Sequence, residues 1–271
     1  MRRVVVGFSG GVTSAWCAGW ALRNFPREEV TLLFHDTKEE HPDTYRFLHE
    51  MAAALGHPIV ERSDGRSVTQ LFRDEGYLGN GQKTMCSRVL KAEQGTKYVA
   101  ELRAAAGAEF VQENLFDQRP TGWYVGAEPF QVIKVIGYSA NERERVQKMV
   151  GACGADRILP VFPLIAERIS KQDATDWCIA QGVRPSAMYC WAEHSNCIGC
   201  VKGGRAYWIA VAENHPEVFA QRVALEEEFG HQIIRGGDRE PVWLKDLVQL
   251  GLKRKVNQRE KIDIGVCGCG D

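Results

Sequence analysis

The sequence is short of three things: long apolar runs, a dominant sign of charge, and repetition. Its longest apolar stretches, residues 4–8 and 15–22, fall well below the roughly 20 consecutive apolar residues of a membrane helix, so no membrane partner is expected. Lys and Arg number 34 against 35 Asp and Glu, a formal charge of -1. That balance removes any whole-molecule attraction to nucleic acid or anionic lipid and leaves only local patches. The absence of internal repeats and low-complexity segments excludes solenoids and arrays. Two phosphate signatures are also missing, the Walker loop with its Gly-Lys-Ser/Thr and the dinucleotide fingerprint Gly-x-Gly-x-x-Gly. Behind Arg2 and Arg3 the apolar run stops at Ser9-Gly10-Gly11, short of a signal-peptide core. A soluble, cytoplasmic chain is therefore expected.

What is present is a globular composition, 44% hydrophobic and 25% charged over 271 residues, with nine cysteines. In a reducing compartment an odd, unevenly spaced cysteine set reads as metal-binding, catalytic or buried before it reads as a disulfide framework.

Residues 4–8 and 31–35 are compact apolar runs bounded by turn residues, and 59–60 start a third, the pattern of buried parallel strands. Residues 14–24 and 43–55 between them read as helices, the second closed by Gly56. Alternation of strand and helix predicts an α/β fold with a doubly wound, Rossmann-like parallel sheet. Residues 85–106 form a long helical candidate, 130–138 a strand and 141–150 a charged helix. Beyond Pro163 the character changes to a smaller, mainly helical, Cys-rich region. A boundary is placed near residue 165, giving a nucleotide-binding domain over 1–165 and a metal or substrate region over 166–271 that ends in a flexible tail.

The first strand runs into Ser9-Gly10-Gly11-Val12-Thr13-Ser14 and then into a helix. Glycines let the backbone approach an anion, free N–H groups point outward, and the helix dipole favours phosphate. The same pattern also suits a plain strand-to-helix turn capped by Ser.

This loop resembles the PP-loop of the ATP pyrophosphatase superfamily, and the chain resembles its phosphoadenylyl-sulfate reductase branch, in particular phage and bacterial members distant from the assimilatory enzymes. Three further stretches carry the resemblance: residues 34–47 with Asp36-Thr37, Cys86-Ser-Arg-Val-Leu-Lys91, and Ile136-Gly-Tyr-Ser-Ala-Asn-Glu-Arg143. The resemblance implies that Ser9, Gly10, Gly11, Thr13 and Ser14 hold the phosphates of ATP or an adenylyl nucleotide with Mg²⁺. It further implies that Asp36 and Thr37 lie near the adenosine and that Lys91 and Arg143 meet phosphate or anionic substrate. Arg145 suits the same role or a solvated helix face. Two departures stand out. PP-loops that activate a substrate usually carry Asp where this chain has Thr13, and assimilatory reductases have a degenerate loop where these glycines are intact.

Cys17, Cys153 and Cys178 read as small buried hydrophobes. Cys190, Cys197 and Cys200 form the sharpest local signal. With His194 they suit tetrahedral zinc; with Cys86 they make a four-thiolate set suited to an iron-sulfur cluster, and the resemblance favours that second set as a [4Fe-4S] site. A redox pair or a metal-free turn also fits Cys-x-x-Cys. Cys267, in the tail with Cys269, is the positional counterpart of the reductases' attacking thiol. The basic run at 253–261 suits steering of a nucleic-acid substrate or a solvated face, and a sulfur-donor protein is a further candidate partner.

The leading expectation is an enzyme that binds ATP or an adenylyl nucleotide and cleaves at the alpha phosphate, coupled to sulfur transfer or reduction. The alternatives are a phosphoadenylyl-sulfate reductase proper, using a tail thiol, and a non-catalytic nucleotide- and metal-binding regulatory module.

Overall fold

The computed structural model describes residues 1–81, 83–107, 109–112, 122–125, 130–234 and 241–249. In chain order the elements are β1 (Arg2–Gly7), α1 (Val12–Asn24), β2 (Val30–His35), α2 (Pro42–Leu55), β3 (Ile59–Arg62), α3 (Val68–Asp74), α4 (Glu93–Ala105), β4 (Glu109–Gln112), β5 (Gly122–Val125), β6 (Gln131–Val135), α5 (Arg143–Ala155), β7 (Ile158–Val161), α6 (Pro163–Ala166), α7 (Lys171–Ala180), α8 (Arg205–Asn214), α9 (Pro216–Phe229) and α10 (Leu244–Gln249). A π-helical turn over Ser87–Ala92 leads into α4.

The central sheet is five-stranded and parallel in the order β3-β2-β1-β6-β7, and β4 and β5 form a separate antiparallel pair. β1 is the middle strand, with Val4 opposite Val30 of β2 and Ile133 of β6. Burial on both faces is what writes strands as unbroken apolar runs. Val5, Leu33, Val132 and Ile158 pack with Tyr98 and Val99 of α4 and Cys153 of α5 on one face. Val4 and Val6, pointing oppositely by the two-residue period, are fully buried on the other. α1 approaches α7 so closely that a Cβ on Gly19 would sit 2.5 Å from the Trp177 ring, a contact only glycine allows.

The chain forms two compact units, the first built from residues 1–34, 48–61 and 95–184, the second from 35–47, 62–94 and 185–271. This differs from the single boundary expected near residue 165. Segments far apart in sequence share one core, and composition along the chain does not register such pairing. In the second unit that core gathers Leu71 and Phe72 of α3, Leu90 of the π-helical turn, Trp208 of α8, Leu225 of α9 and Leu244 of α10. The C-terminal region is helical, as expected. The strand expected over 130–138 is confined to Gln131–Val135. β7 and the β4–β5 pair are additions to the expected elements.

Candidate nucleotide loop and thiol cluster

In the first unit the strand order reverses between β1 and β6, since the chain builds outward from β1 through β2 to β3 and returns to its other side at β6. At such a switch point the loops leaving the carboxyl ends of two neighbouring strands diverge and open a crevice. The loop leaving β1 is Ser9 to Ser14; the loop leaving β6 begins at Gly137. They meet: a Cβ built on Gly137 would lie 3.2 Å from Ser14 N and from Thr13 C and O.

The Ser9–Ser14 loop is held in place by its own atoms. Gly10 takes φ +78°, a left-handed conformation natural to glycine. The Ser14 hydroxyl donates to Gly11 O at 2.7 Å and accepts from Ser9 N at 3.2 Å. The N-cap of α1 is Gly11, which makes no side-chain cap hydrogen bond. Backbone donors and the positive end of a helix converge here, which is the chemistry of an anion site. From the β6 side, Glu142 accepts from Ser139 N at 2.9 Å and pairs with Arg145. The Arg145 guanidinium lies 4.3 Å from the centre of the Tyr138 ring, and that ring stacks on Phe162. Arg145 is thus tied into a local stack, and Arg143 is exposed at the first position of α5.

In the second unit, Asp36 and Thr37 follow β2. The Asp36 carboxylate accepts from Tyr45 Oη at 2.6 Å and from Lys38 N at 2.8 Å, with Lys38 Nζ at 2.9 Å. Burial acts to raise its pKa, but the bonds from Tyr45 and Lys38 outweigh it and hold the carboxyl below the usual aspartate value. Thr37 is fully buried and stands beside a thiol: its Oγ1 is 3.0 Å from Cys197 Sγ and donates to Glu40 Oε1 at 3.1 Å.

Glu40 is the centre of this group. Its side chain is 1% exposed, and the same Oε1 also receives Lys91 Nζ at 3.0 Å and the Cys197 thiol at 3.3 Å. Burial and the nearby Glu40 charge push the Cys197 thiol well above its ordinary pKa, against the lowering influence of Lys91. Burial acts to lower Lys91, yet the Glu40 carboxylate and the neighbouring thiols hold its ammonium above the ordinary value. Lys91 reaches this position from the π-helical turn, where the Glu93 N–H bonds five residues back to Arg88 O. Such turns widen a helix locally and recur at functional sites.

The Cys197-Ile-Gly-Cys200 turn is clamped through its backbone. Tyr207 Oη donates to Cys197 O at 2.9 Å and accepts from Cys200 N at 3.1 Å, and Ile198 N donates to Glu39 O at 2.9 Å. Arg222, 2% exposed, donates through Nε to Gly199 O at 3.1 Å and through Nη1 to Thr69 Oγ1 at 2.7 Å, and pairs with Glu39. Gly199 takes φ +70°, and a Cβ there would meet Val218 at 2.9 Å. Glu39, Glu40 and Arg222 were not among the residues expected from sequence. The only sign was the placement of Glu39 and Glu40 inside the Asp36-Thr37 stretch.

The metal expectation fares differently. Cys200 lies close enough for its charge to influence both Cys86 and Cys197, while Cys190 and His194 are exposed. Among the described residues no group of three or more His, Cys, Asp or Glu side chains is arranged to hold a metal ion. A lysine ammonium and a buried carboxylate also stand among the thiols. The side chains as placed assemble neither the four-cysteine set nor the zinc set with His194. Cys17, Cys153 and Cys178 are buried in the first unit. Cys267, Cys269 and the basic run at 253–261 lie outside the described residues. Among the described residues no helix is long and apolar enough to cross a membrane.

Residues 3–122 match the family model described as the phosphoadenosine phosphosulfate reductase domain. No curated protein sequence matches the chain. One solved structure that is similar is phosphoadenylyl-sulfate (PAPS) reductase from Candida auris in complex with phosphate, at 15% identity, covering 69% of this chain and 75% of that one, with a TM-score of 0.38. Residues 3–122, less than half of the chain, are thus similar to the phosphoadenosine phosphosulfate reductase domain.

Proposed function

We propose that the protein is an enzyme of sulfur metabolism that binds ATP or an adenylyl nucleotide on the Ser9–Ser14 loop and cleaves at the alpha phosphate, coupled to sulfur transfer. The observation that carries this reading is the glycine-rich loop at the β1/β6 switch point, with the N-terminus of α1 behind it and Gly137 closing against it. In this role the N–H groups of the loop stabilise the charge that develops on the departing phosphates, and the Ser9 and Thr13 hydroxyls add donors. Arg143, at the start of α5, supplies a bidentate cation to the phosphates or to an anionic substrate. The thiols of the second unit are the sulfur-handling groups.

Calorimetric titration with ATP and adenosine 5′-phosphosulfate, together with pyrophosphate release from ATP, tests the proposal. Gly10→Val forces a β-branched residue into the φ +78° position and is expected to abolish binding. Unchanged affinity would remove the loop from the site.

A second reading, reduction of phosphoadenylyl sulfate by a tail thiol such as Cys267, is favoured by the family model. Thiol-dependent sulfite release from that nucleotide, lost in Cys267→Ser, distinguishes it. A third, a non-catalytic nucleotide-binding module, is favoured by Thr13 in place of the usual Asp. It is selected if nucleotide binds and no turnover occurs with either substrate.

A further inference from the structure

The reaction proposed above gives Arg145 no task, yet the first unit builds a column of flat groups that ends in it. The register of the sheet sets Val135 of β6 beside Val161 of β7, and Ile136 N donates to Val161 O at 3.0 Å. The two strands therefore deliver Tyr138 and Phe162 together, just beyond their carboxyl ends. The rings stack with centroids 6.1 Å apart and planes 19° from parallel. Phe162 is fixed through its backbone, because its carbonyl accepts the Ile165 and Ala166 N–H groups, each at 3.1 Å, where α6 begins. Over Tyr138 lies the Arg145 guanidinium, 4.3 Å from the ring centre. A guanidinium is flat, and it stacks on a ring face through both charge and shape. Glu142 holds it there: Oε1 pairs with Arg145 Nη1, while Oε2 accepts from Ser139 N at 2.9 Å and from Ser139 Oγ at 3.2 Å. The Arg145 side chain is nonetheless 61% exposed. A charged plane backed by a ring and still open to water is a surface for one more flat group. The column also stands beside the anion loop, since Tyr138 directly follows Gly137, the residue that closes against Thr13 and Ser14.

We propose that the Phe162–Tyr138–Arg145 column is the stacking platform for the base of the nucleotide whose phosphates occupy the Ser9–Ser14 loop, with the Arg145 guanidinium as its contact face. The proposal deepens the nucleotide reading above and rests on it. A nucleotide joins a multiply charged end to a flat, uncharged ring, and the first unit matches both ends in kind. Backbone N–H groups at the start of α1 suit the phosphates, and a guanidinium plane suits the ring. Stacking asks only for a π face, so it supplies affinity without reading the edge of the base. The two arginines of this segment then divide the work: Arg143 meets phosphate through its charge, Arg145 meets the base through its plane. Holding that plane in advance matters, because a free arginine side chain gives up rotamer freedom on binding, and here Glu142 and Tyr138 have already ordered it. Arg145 is thus a positioning residue, and no bond is made or broken at it.

The test titrates the full-length protein calorimetrically with ATP and with inorganic tripolyphosphate, which carries the charge without the ring. The parent is expected to bind ATP more tightly than tripolyphosphate. Arg145→Lys keeps the charge and removes the plane, and Tyr138→Leu removes the ring beneath it. Each is expected to raise the Kd for ATP roughly 5- to 150-fold and to leave the Kd for tripolyphosphate unchanged. Tyr138→Phe preserves the ring and is expected to bind ATP as the parent does. A merely structural role would lower the urea midpoint and leave the ratio of the two affinities alone. Because Arg145 is exposed, Arg145→Lys is expected to fold even where Tyr138→Leu does not. Equal affinity of the parent for ATP and tripolyphosphate, or an unchanged affinity ratio in folded Arg145→Lys, would overturn the proposal. A parent that binds neither ligand removes the nucleotide reading itself, whereas phosphate binding with no contribution from the ring removes the platform alone.

Discussion

Gly137→Ala is expected to weaken nucleotide binding through the backbone alone. The new Cβ would stand 3.2 Å from three backbone atoms at once, Ser14 N and Thr13 C and O, where carbon contacts normally settle at about 3.5–4.0 Å. The facing side cannot yield freely. Thr13 and Ser14 open α1, and the loop behind them is pinned by Ser14 Oγ to Gly11 O at 2.7 Å and Ala15 N to Gly11 O at 3.0 Å. Forcing one carbon into such packing costs about 1–3 kcal/mol. If the loop moves to relieve the overlap and the anion site is lost with it, the same energy appears as roughly a 5- to 150-fold rise in the Kd for ATP. Gly151 is the internal control. It lies inside α5, and a Cβ there would meet nothing within 4 Å. Gly151→Ala is therefore expected to stabilise the protein by about 0.5–1 kcal/mol and to leave binding alone. Urea unfolding and calorimetric titration of both variants supply the two measurements. If Gly137→Ala binds ATP as the parent does, the two loops are not jointly part of one anion site and the reasoning fails.

Arg222→Met is expected to cost about 3–5 kcal/mol in urea unfolding, because it leaves Glu39 and Gly199 O without the guanidinium that joins them. Gly19→Ala, whose Cβ would fall 2.5 Å from the Trp177 ring, is expected to destabilise by about 1–3 kcal/mol and to lower Tm without altering nucleotide affinity. For acid stability, a folded pKa of Asp36 below the ordinary 3.8 means a contribution fully present above that pH and lost as pH falls through the folded value. Tyr45→Phe removes one of the bonds that depress it, so the variant is expected to be less stable above pH 3.8 and to lose less on further acidification. Tm measured from pH 2 to pH 6 checks both limbs, and parallel curves for parent and variant would refute the assignment.

How far the sequence discloses this molecule depends on whether the relevant contacts are local. β1 and β2 are visible because strands buried on both faces must be apolar throughout, and the alternation with α1 and α2 makes the sheet parallel. β7 is harder to see: its four residues include Pro160, which normally argues against a strand and is admitted here because β7 is the edge of the sheet, where a missing N–H costs nothing. The Ser9–Ser14 loop is legible as a loop, since Gly10 serves a local backbone need, but its partner Gly137 is more than a hundred residues away and carries no side chain to announce the contact. The thiol cluster is less legible still. Cys197 meets Glu40 through an isolated antiparallel bridge between residues 157 positions apart, and no spacing rule spans that distance. Cys86 and Lys91 show the same limit at short range. In a regular helix of about 3.6 residues per turn, positions five apart point roughly 140° away from each other. The π-helical turn at Ser87–Ala92, closed by a bond five residues back, rotates Lys91 toward the face of Cys86, and the lysine charge is felt at that thiol. Periodicity assumes the regular turn, so it separates two residues that the fold brings together; the departure from regular helix is itself what delivers the lysine to Glu40.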